Sequence, residues 1–378
     1  VTTTVVREIL STATLTSDAG KFCSMLGALF ESVPTRKVLI ETNFDEKTSL
    51  AVKVFYQLGG LIDNVVWKDA LGNGADGTIA PTGQYVQNIE RQVEQLLRPV
   101  LQLILLSCND PQTGKTAKFQ DYLAAEKRQA GVVIDKICRH CVRVLHFSLL
   151  SSDVLTQAGM VFGYLSFVDV LKSDGAHTVR NNSTLFVQEI FGDNGFMGLN
   201  WKTLGLTSKL AVCRGVMNAF PTHTWAFSGV HECPNPNNLF EGMDNCKINA
   251  IIMQGAVSVE VPSRSYAFQT LGQCLRCLMS DSIKISPRYL QNLVDIVLEN
   301  WEHPAKRVAA LMPSLFEKIL QAQMMQSDLE QNNKFQSLVP LLKRVTALPV
   351  ERKAKYLALQ SFLAHGDGQE IYARHPNI

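Results

Sequence analysis

The sequence has almost no net charge: 36 lysines and arginines against 34 acids leave +2 over 378 residues. That balance excludes binding to nucleic acid through bulk charge, and leaves room only for a local basic face. An uninterrupted apolar run is also missing. The most apolar stretch, LLRPVLQLILLSC from Leu96, contains Arg98 and Pro99. It falls short of the ~20 residues a spanning helix needs, so no membrane is expected. The first residues lack the pattern of a secretory signal, because Arg7 and Glu8 interrupt it. The opening residue is Val1 rather than Met, which suits a fragment, a processed chain or missing residues. Dense disulfide spacing is absent as well. Nine cysteines are an odd count in a long chain, which reads as reduced thiols and a cytoplasmic chain.

Strand alternation is scarce. GAVSVEVPS (255–263) alternates in places, but Pro262 weakens it. Enzyme constellations are scarce too. DPQTGKT (110–116) has the tail of a phosphate loop, but the glycine needed at 109 is Asn109. The required preceding strand is replaced by a helical pattern, so a solvated loop between helices is the better reading. His231 and Cys233 stand close together in HEC (231–233) without an identifiable third partner. A rival enzyme reading would need a pocket holding Lys115, His231 or Cys233 with strongly perturbed titration.

What the sequence does have is helical periodicity, with 46% apolar residues to build a core. Val86, Ile89, Val93, Leu96 and Leu97 form one apolar stripe, after which Pro99 should kink the helix or start a second. Val132, Ile134, Ile137, Cys138, Cys141 and Val144 form another. Further stripes follow: Phe268, Leu271, Cys274, Leu275 and Leu278; then Leu290, Leu293, Val294, Val297 and Leu298. Val308, Leu311, Met312, Leu315, Phe316 and Ile319 predict a helix, as do Phe335, Leu338, Leu341, Leu342 and Val345. Tyr356, Leu357, Leu359 and Phe362 give the last one. Such helices cannot bury their stripes singly, and stacking of antiparallel pairs gives each a cover. The expected fold is all-α, a HEAT/armadillo-like α-solenoid without a crisp repeat. Its first part spans 1–229, with loops near 69–83 and 172–186. A loop at 230–245 precedes a second part at 246–378, expected to continue the first.

Two Cys-x-x-Cys pairs, Cys138 with Cys141 and Cys274 with Cys277, have zinc-ligand spacing. Each pair lies on an apolar stripe, so core packing is the expectation and no metal is assigned. The segment NWEHPAKRVAALMPSLFEKIL (300–320) reads as a helix junction. Trp301 should pack between helices, and Pro304 suits a first helical turn, where its missing N–H costs nothing. Glu302 should meet the positive end of its own helix. A catalytic His303 would need a positioned partner, and none is visible. Lys306 and Arg307 in a helix's first turn suggest a surface facing something acidic, against the plainer reading of a solvated face. Arg139 and Arg143, four apart, share a helix face. Lys209, Arg214, Lys343 and Arg344 complete the candidate contacts to a partner or to RNA. Such faces follow phosphates without reading bases.

Three segments resemble one family. KLAVCRGVMNAFP (209–221) resembles a helix of the thyroid adenoma-associated protein family, with Arg214, Gly215 and Pro221 in the matching places. SYAFQTLGQCLRCL (265–278) resembles the helix before that family's W-[DE]-H-P segment. Trp301, Glu302, His303, Pro304, Val308, Phe316 and Leu320 match the segment itself. The chain departs at Ala309, Ala310 and Leu311, where the family usually shows Arg-His-Gln. The resemblance implies part of a long α-solenoid that is a non-catalytic regulatory subunit of a tRNA 2'-O-ribose methyltransferase. It implies support for methylation of nucleotide 32 in the anticodon loop. S-adenosylmethionine would bind the partner enzyme, and tRNA contact is a further expectation. The alternative is an importin-like or assembly-factor scaffold with the same fold and no tRNA role.

Overall fold

A computed structural model describes residues 50–62, 83–105, 107–109, 116–119, 127–147, 149–166, 199–219, 247–280, 287–329 and 334–364, with 25–29, Thr4, Leu123 and Ala373 besides. Of the expected loop at 69–83 only Gly83 is described, and it opens a helix; the loops at 172–186 and 230–245, and Lys115, His231 and Cys233, lie outside the described residues. The fold is all-α, except for one short hairpin. Strands β1 (Ser107–Asn109) and β2 (Thr116–Lys118) pair antiparallel, with Cys108 opposite Ala117. The helical reading of this region missed them because three residues are too few to show alternation. The chain divides into two compact units, Val1–Ala219 and Phe220–Ile378.

In the first unit, α1 (Leu50–Leu61) packs on α2 (Gly83–Ile104) and α3 (Lys127–His146). Helix α4 (Ser152–Leu165) packs on α2, α3 and α5 (Leu206–Ala219). Ile89, Val93, Leu96 and Leu97 are buried on α2, and Val86 is half-buried. The helix runs on through a buried Pro99 to Ile104, so no second helix starts there. On α3, Ile134, Ile137, Cys138, Cys141 and Val144 are fully buried. Val132, expected on this stripe, is 50% exposed. It precedes Ile134 by two residues, which at ~100° per residue places it on the far side of the helix.

Helix α4 is the centre of this unit. Val154, Thr156 and every residue from 158 to 165 are buried, as expected for a helix covered on several sides. Ser151 caps it, its side chain accepting the Val154 N–H. Against α4 lies α5 at very short range. A Cβ on Gly159 would stand 2.5 Å from Ala211 Cβ, and one on Gly215 would stand 2.8 Å from Met160 Cα. Only glycine allows these two backbones to approach so closely.

The second unit contains α6 (Lys247–Ala256), α7 (Val261–Ser280), α8 (Pro287–Asn300), α9 (Lys306–Ala309), α10 (Met312–Leu329), α11 (Lys334–Thr346) and α12 (Lys353–Ala364). Helix α6 packs on α7, and α7 on α9 and α10. Helix α8 packs on α10, α11 and α12; α10 on α11 and α12; and α11 on α12. The buried Tyr289 hydroxyl donates to Asn249 Oδ1 at 2.8 Å, joining α8 to α6.

The weak alternation at 255–263 carries no strand: these residues form the end of α6, a turn, and the start of α7. Two expectations are corrected here. The segment after Ala305 is not one helix. Helix α9 stops at Ala309 and α10 begins at Met312. Pro313 has no N–H for the Ala309 carbonyl and its ring would clash there, so the two cannot fuse smoothly. Tyr356, expected on the last apolar stripe, is 55% exposed, while Ala354, Ala358 and Phe362 form the buried face of α12.

Candidate functional site

The 300–311 junction is held by local groups. Trp301 is buried, its ring 5.5 Å from Phe316 of α10 in an edge-on arrangement. Asn300 Nδ2 donates to the Ile296 carbonyl at 2.8 Å, and the His303 N–H donates to the Asn300 carbonyl at 3.1 Å. His303 Nδ1 accepts the Ala305 N–H at 3.1 Å, so the ring fastens the turn around Pro304. Pro304 lies two residues before α9 rather than in its first turn. Lys306 and Arg307 are exposed on α9. That helix is four residues long, so its first turn is also its last and the expected dipole penalty is small.

Glu302 does meet a helix N-terminus, but not the one expected. Its Oε1 accepts the Ala354 N–H of α12 at 2.7 Å, and its Oε2 accepts Arg352 Nε–H at 2.9 Å. The Ala354 N–H is the main cause that holds this carboxyl below its ordinary range; burial opposes, and Arg352 and the Lys353 N–H assist. Arg352 Nη2 also donates to the Leu298 carbonyl in the last turn of α8, at 3.1 Å. Lys355 Nζ donates to the carbonyl of Thr346, the last residue of α11, and to that of Leu348 just beyond it, both at 2.8 Å. Three helix ends are thereby satisfied by three charged side chains. Neither Lys355 nor Arg352 is among the cations singled out from the sequence. A contact from 302 to 354 leaves no periodic signal.

The predicted cations are placed as follows. Arg139 and Arg143 are exposed on α3, four residues apart as expected. Lys209 and Arg214 are half-buried on α5. Arg307 stands over the Tyr266 ring of α7 at 5.2 Å from its centroid. Lys343 is exposed on α11, whereas Arg344 is ion-paired with Asp295 of α8 and donates to Gln291 Oε1 at 3.3 Å. Its charge is already matched inside the unit. Two cations not singled out from sequence, Arg276 of α7 and Lys318 of α10, come together across their helix pair. Each had only its own helix spacing as a signal.

Cys138, Cys141 and Cys274 are buried free thiols; the Cys277 side chain lies outside the described residues. Burial, and next the charge Cys138 would carry, push the Cys141 thiol well up, against a smaller opposing backbone hydrogen bond. His140 between them is buried, and burial, then the charge of Arg143, lowers it to about 4. These are the electrostatics of a core. No protein-family model matches the chain, and no curated protein or solved structure matches it either.

Proposed function

We propose that the chain is a non-catalytic helical scaffold that binds a tRNA 2'-O-ribose methyltransferase and supports methylation of nucleotide 32 in the anticodon loop. One structural observation supports the scaffold part. In the first unit α1 packs on α2 and α3, α2 and α3 each pack on α4, and α4 packs on α5, all within two places along the chain; in the second, α7 reaches α10 and α8 reaches α11 and α12. Contacts confined to near neighbours, as in the first unit, are those of stacked antiparallel pairs of HEAT or armadillo kind, because each pair covers only its neighbours. The tRNA part is carried by the resemblance at 209–221, 265–278 and 300–320. In this reading the junction groups Trp301, His303 and Pro304 fix geometry. Arg139, Arg143, Lys209, Arg214, Lys306, Arg307 and Lys343 offer contacts to the enzyme or tRNA. S-adenosylmethionine would bind the enzyme and none would bind this chain.

The test is a pull-down from the native cell, with nucleotide 32 methylation measured after depletion of the protein. A copurifying methyltransferase together with loss of that methyl group supports the reading. No such enzyme and unchanged methylation overturn it in favour of the importin-like or assembly scaffold. Small-angle scattering tests the solenoid separately, since a compact globule of this length has a radius of gyration of about 21 Å. A stacked solenoid must exceed that value.

A further inference from the structure

Four cations around α7 have no carboxylate partner among the described residues: Arg276 on α7, Lys306 and Arg307 on α9, and Lys318 on α10. Three are positioned by neutral groups. Arg276 Nη2 donates to Gln273 Oε1, one turn back on α7. Lys318 Nζ donates to Ser314 Oγ at 2.8 Å. Arg307 lies on the Tyr266 ring. Helix α7 packs on both α9 and α10, so these groups line one seam. Lys318 Nζ would stand 3.8 Å from a Cβ on Gly272, which places it across the α7–α10 contact. Burial, and then the nearby charge of Arg276, pull Lys318 below its ordinary value, with Glu317 opposing from outside ion-pair distance. Tyr266 and Arg276 are ten residues apart, about 15 Å along a helix. The seam therefore has a cationic point at each end.

We propose that this α7–α9–α10 seam binds the phosphate backbone of RNA. Two features favour that ligand over an acidic protein. Three of the cations are preset by neutral partners, so an arriving anion displaces no carboxylate of the described residues. None of the large apolar side chains exposed among the described residues lies on α7, α9 or α10. A protein interface of any strength needs an apolar centre, whereas phosphate contacts do not. The seam then positions RNA without reading its bases. The choice of RNA rests on the scaffold reading above, but the binding itself requires no methyltransferase.

The test uses the full chain and a fluorescently labelled tRNA transcript, with anisotropy read between about 50 and 200 mM salt. Arg276→Gln with Lys318→Gln is expected to weaken binding at least about tenfold and to lower the log–log salt slope by roughly one to two. A labelled RNA of unrelated sequence should behave alike. Arg91→Gln with Lys353→Gln, on the exposed faces of α2 and α12, should change affinity less than about threefold. Circular dichroism verifies the fold of each variant, and Arg276→Lys with Lys318→Arg should restore binding. The proposal is overturned by any of four results. These are no RNA binding by the unaltered protein, an unchanged slope in the seam variant, an equal loss in the α2–α12 control, or tighter binding to poly-glutamate than to RNA. RNA binding that persists while no methyltransferase copurifies would leave the seam standing and sink only the scaffold reading.

Discussion

The α4–α5 contact of the first unit and the α8–α11–α12 junction of the second join helices by opposite means. Gly159 and Gly215 remove side chains so that two backbones touch along their lengths. Glu302, Arg352 and Lys355 extend side chains so that helix ends are tied at a distance, and Arg344 of α11 pairs with Asp295 of α8. The first contact depends on shape and tolerates no added volume. The second depends on charge and hydrogen bonding near solvent, so it should yield gradually and respond to pH and salt. Neither solution follows from apolar stripes alone.

The sharpest way to break the comparison is to add volume. Gly215→Leu would drive a branched side chain into the Met160 backbone, which cannot rotate away. Overpacking costs ~1–3 kcal/mol where side chains can yield, and here none does. We expect upwards of ~3 kcal/mol, seen as loss of hydrogen-exchange protection across α4 and α5. A variant as protected as the unaltered chain would show that the two helices can separate cheaply. Trp301→Ala is the matching cut in the second unit. It removes the ring packed on Phe316 and is expected to cost about 3 kcal/mol in a denaturant melt.

Acid separates the two regions by order. His140 in the first unit is held neutral down to about 4, against 6.5 for a free histidine. Below pH 6.5 the unfolded chain takes a proton that the folded ring refuses, so stability drains as pH falls from 6.5 toward 4. The total is on the order of a few kcal/mol. Glu302 in the second unit acts later. Its folded carboxyl lies below the ordinary glutamate value of 4.5. Its contribution is complete above 4.5 and disappears as pH falls through the folded value. Hydrogen exchange followed from pH 7 to 4 should show α3 loosening first. His140→Phe should remove that early phase. Loosening of α12 before α3 would reverse the assignment.

Glu302→Gln should cost on the order of 1 kcal/mol, the usual worth of an N-terminal cap. It should also flatten the acid response of α12 while leaving α3 unchanged. These effects show where sequence is legible and where it is not. Period 3.6 exposed Leu290, Leu293, Val294, Val297 and Leu298, because burial on one face repeats along a helix. It gave a plain reason to expect Trp301 in a packed junction. It could not connect Glu302 to Ala354 or Arg276 to Lys318, since tertiary pairing has no period. Pro313 was readable and was missed: the apolar stripe from Val308 to Ile319 masked the break beneath it. The glycine at 215 was legible as a resemblance, but its partner Met160 was not.

His303→Ala is the smallest expected change and separates two meanings of a histidine beside proline. The ring's visible work is to accept the Ala305 N–H through Nδ1. Losing one such partly exposed hydrogen bond should cost about 0.5–1.5 kcal/mol. The freed N–H is near solvent, so water can replace part of the bond. Asn at 303 can offer its own side-chain oxygen two residues ahead of the same donor, as in an Asx turn. His303→Asn should therefore recover most of the loss in a thermal melt. A group that moved protons would not be replaced by an amide. If depletion of the protein abolishes nucleotide 32 methylation, both variants should restore it to the level of the unaltered chain. Failure of both variants to do so, with the fold intact, would give His303 a role that the turn does not explain.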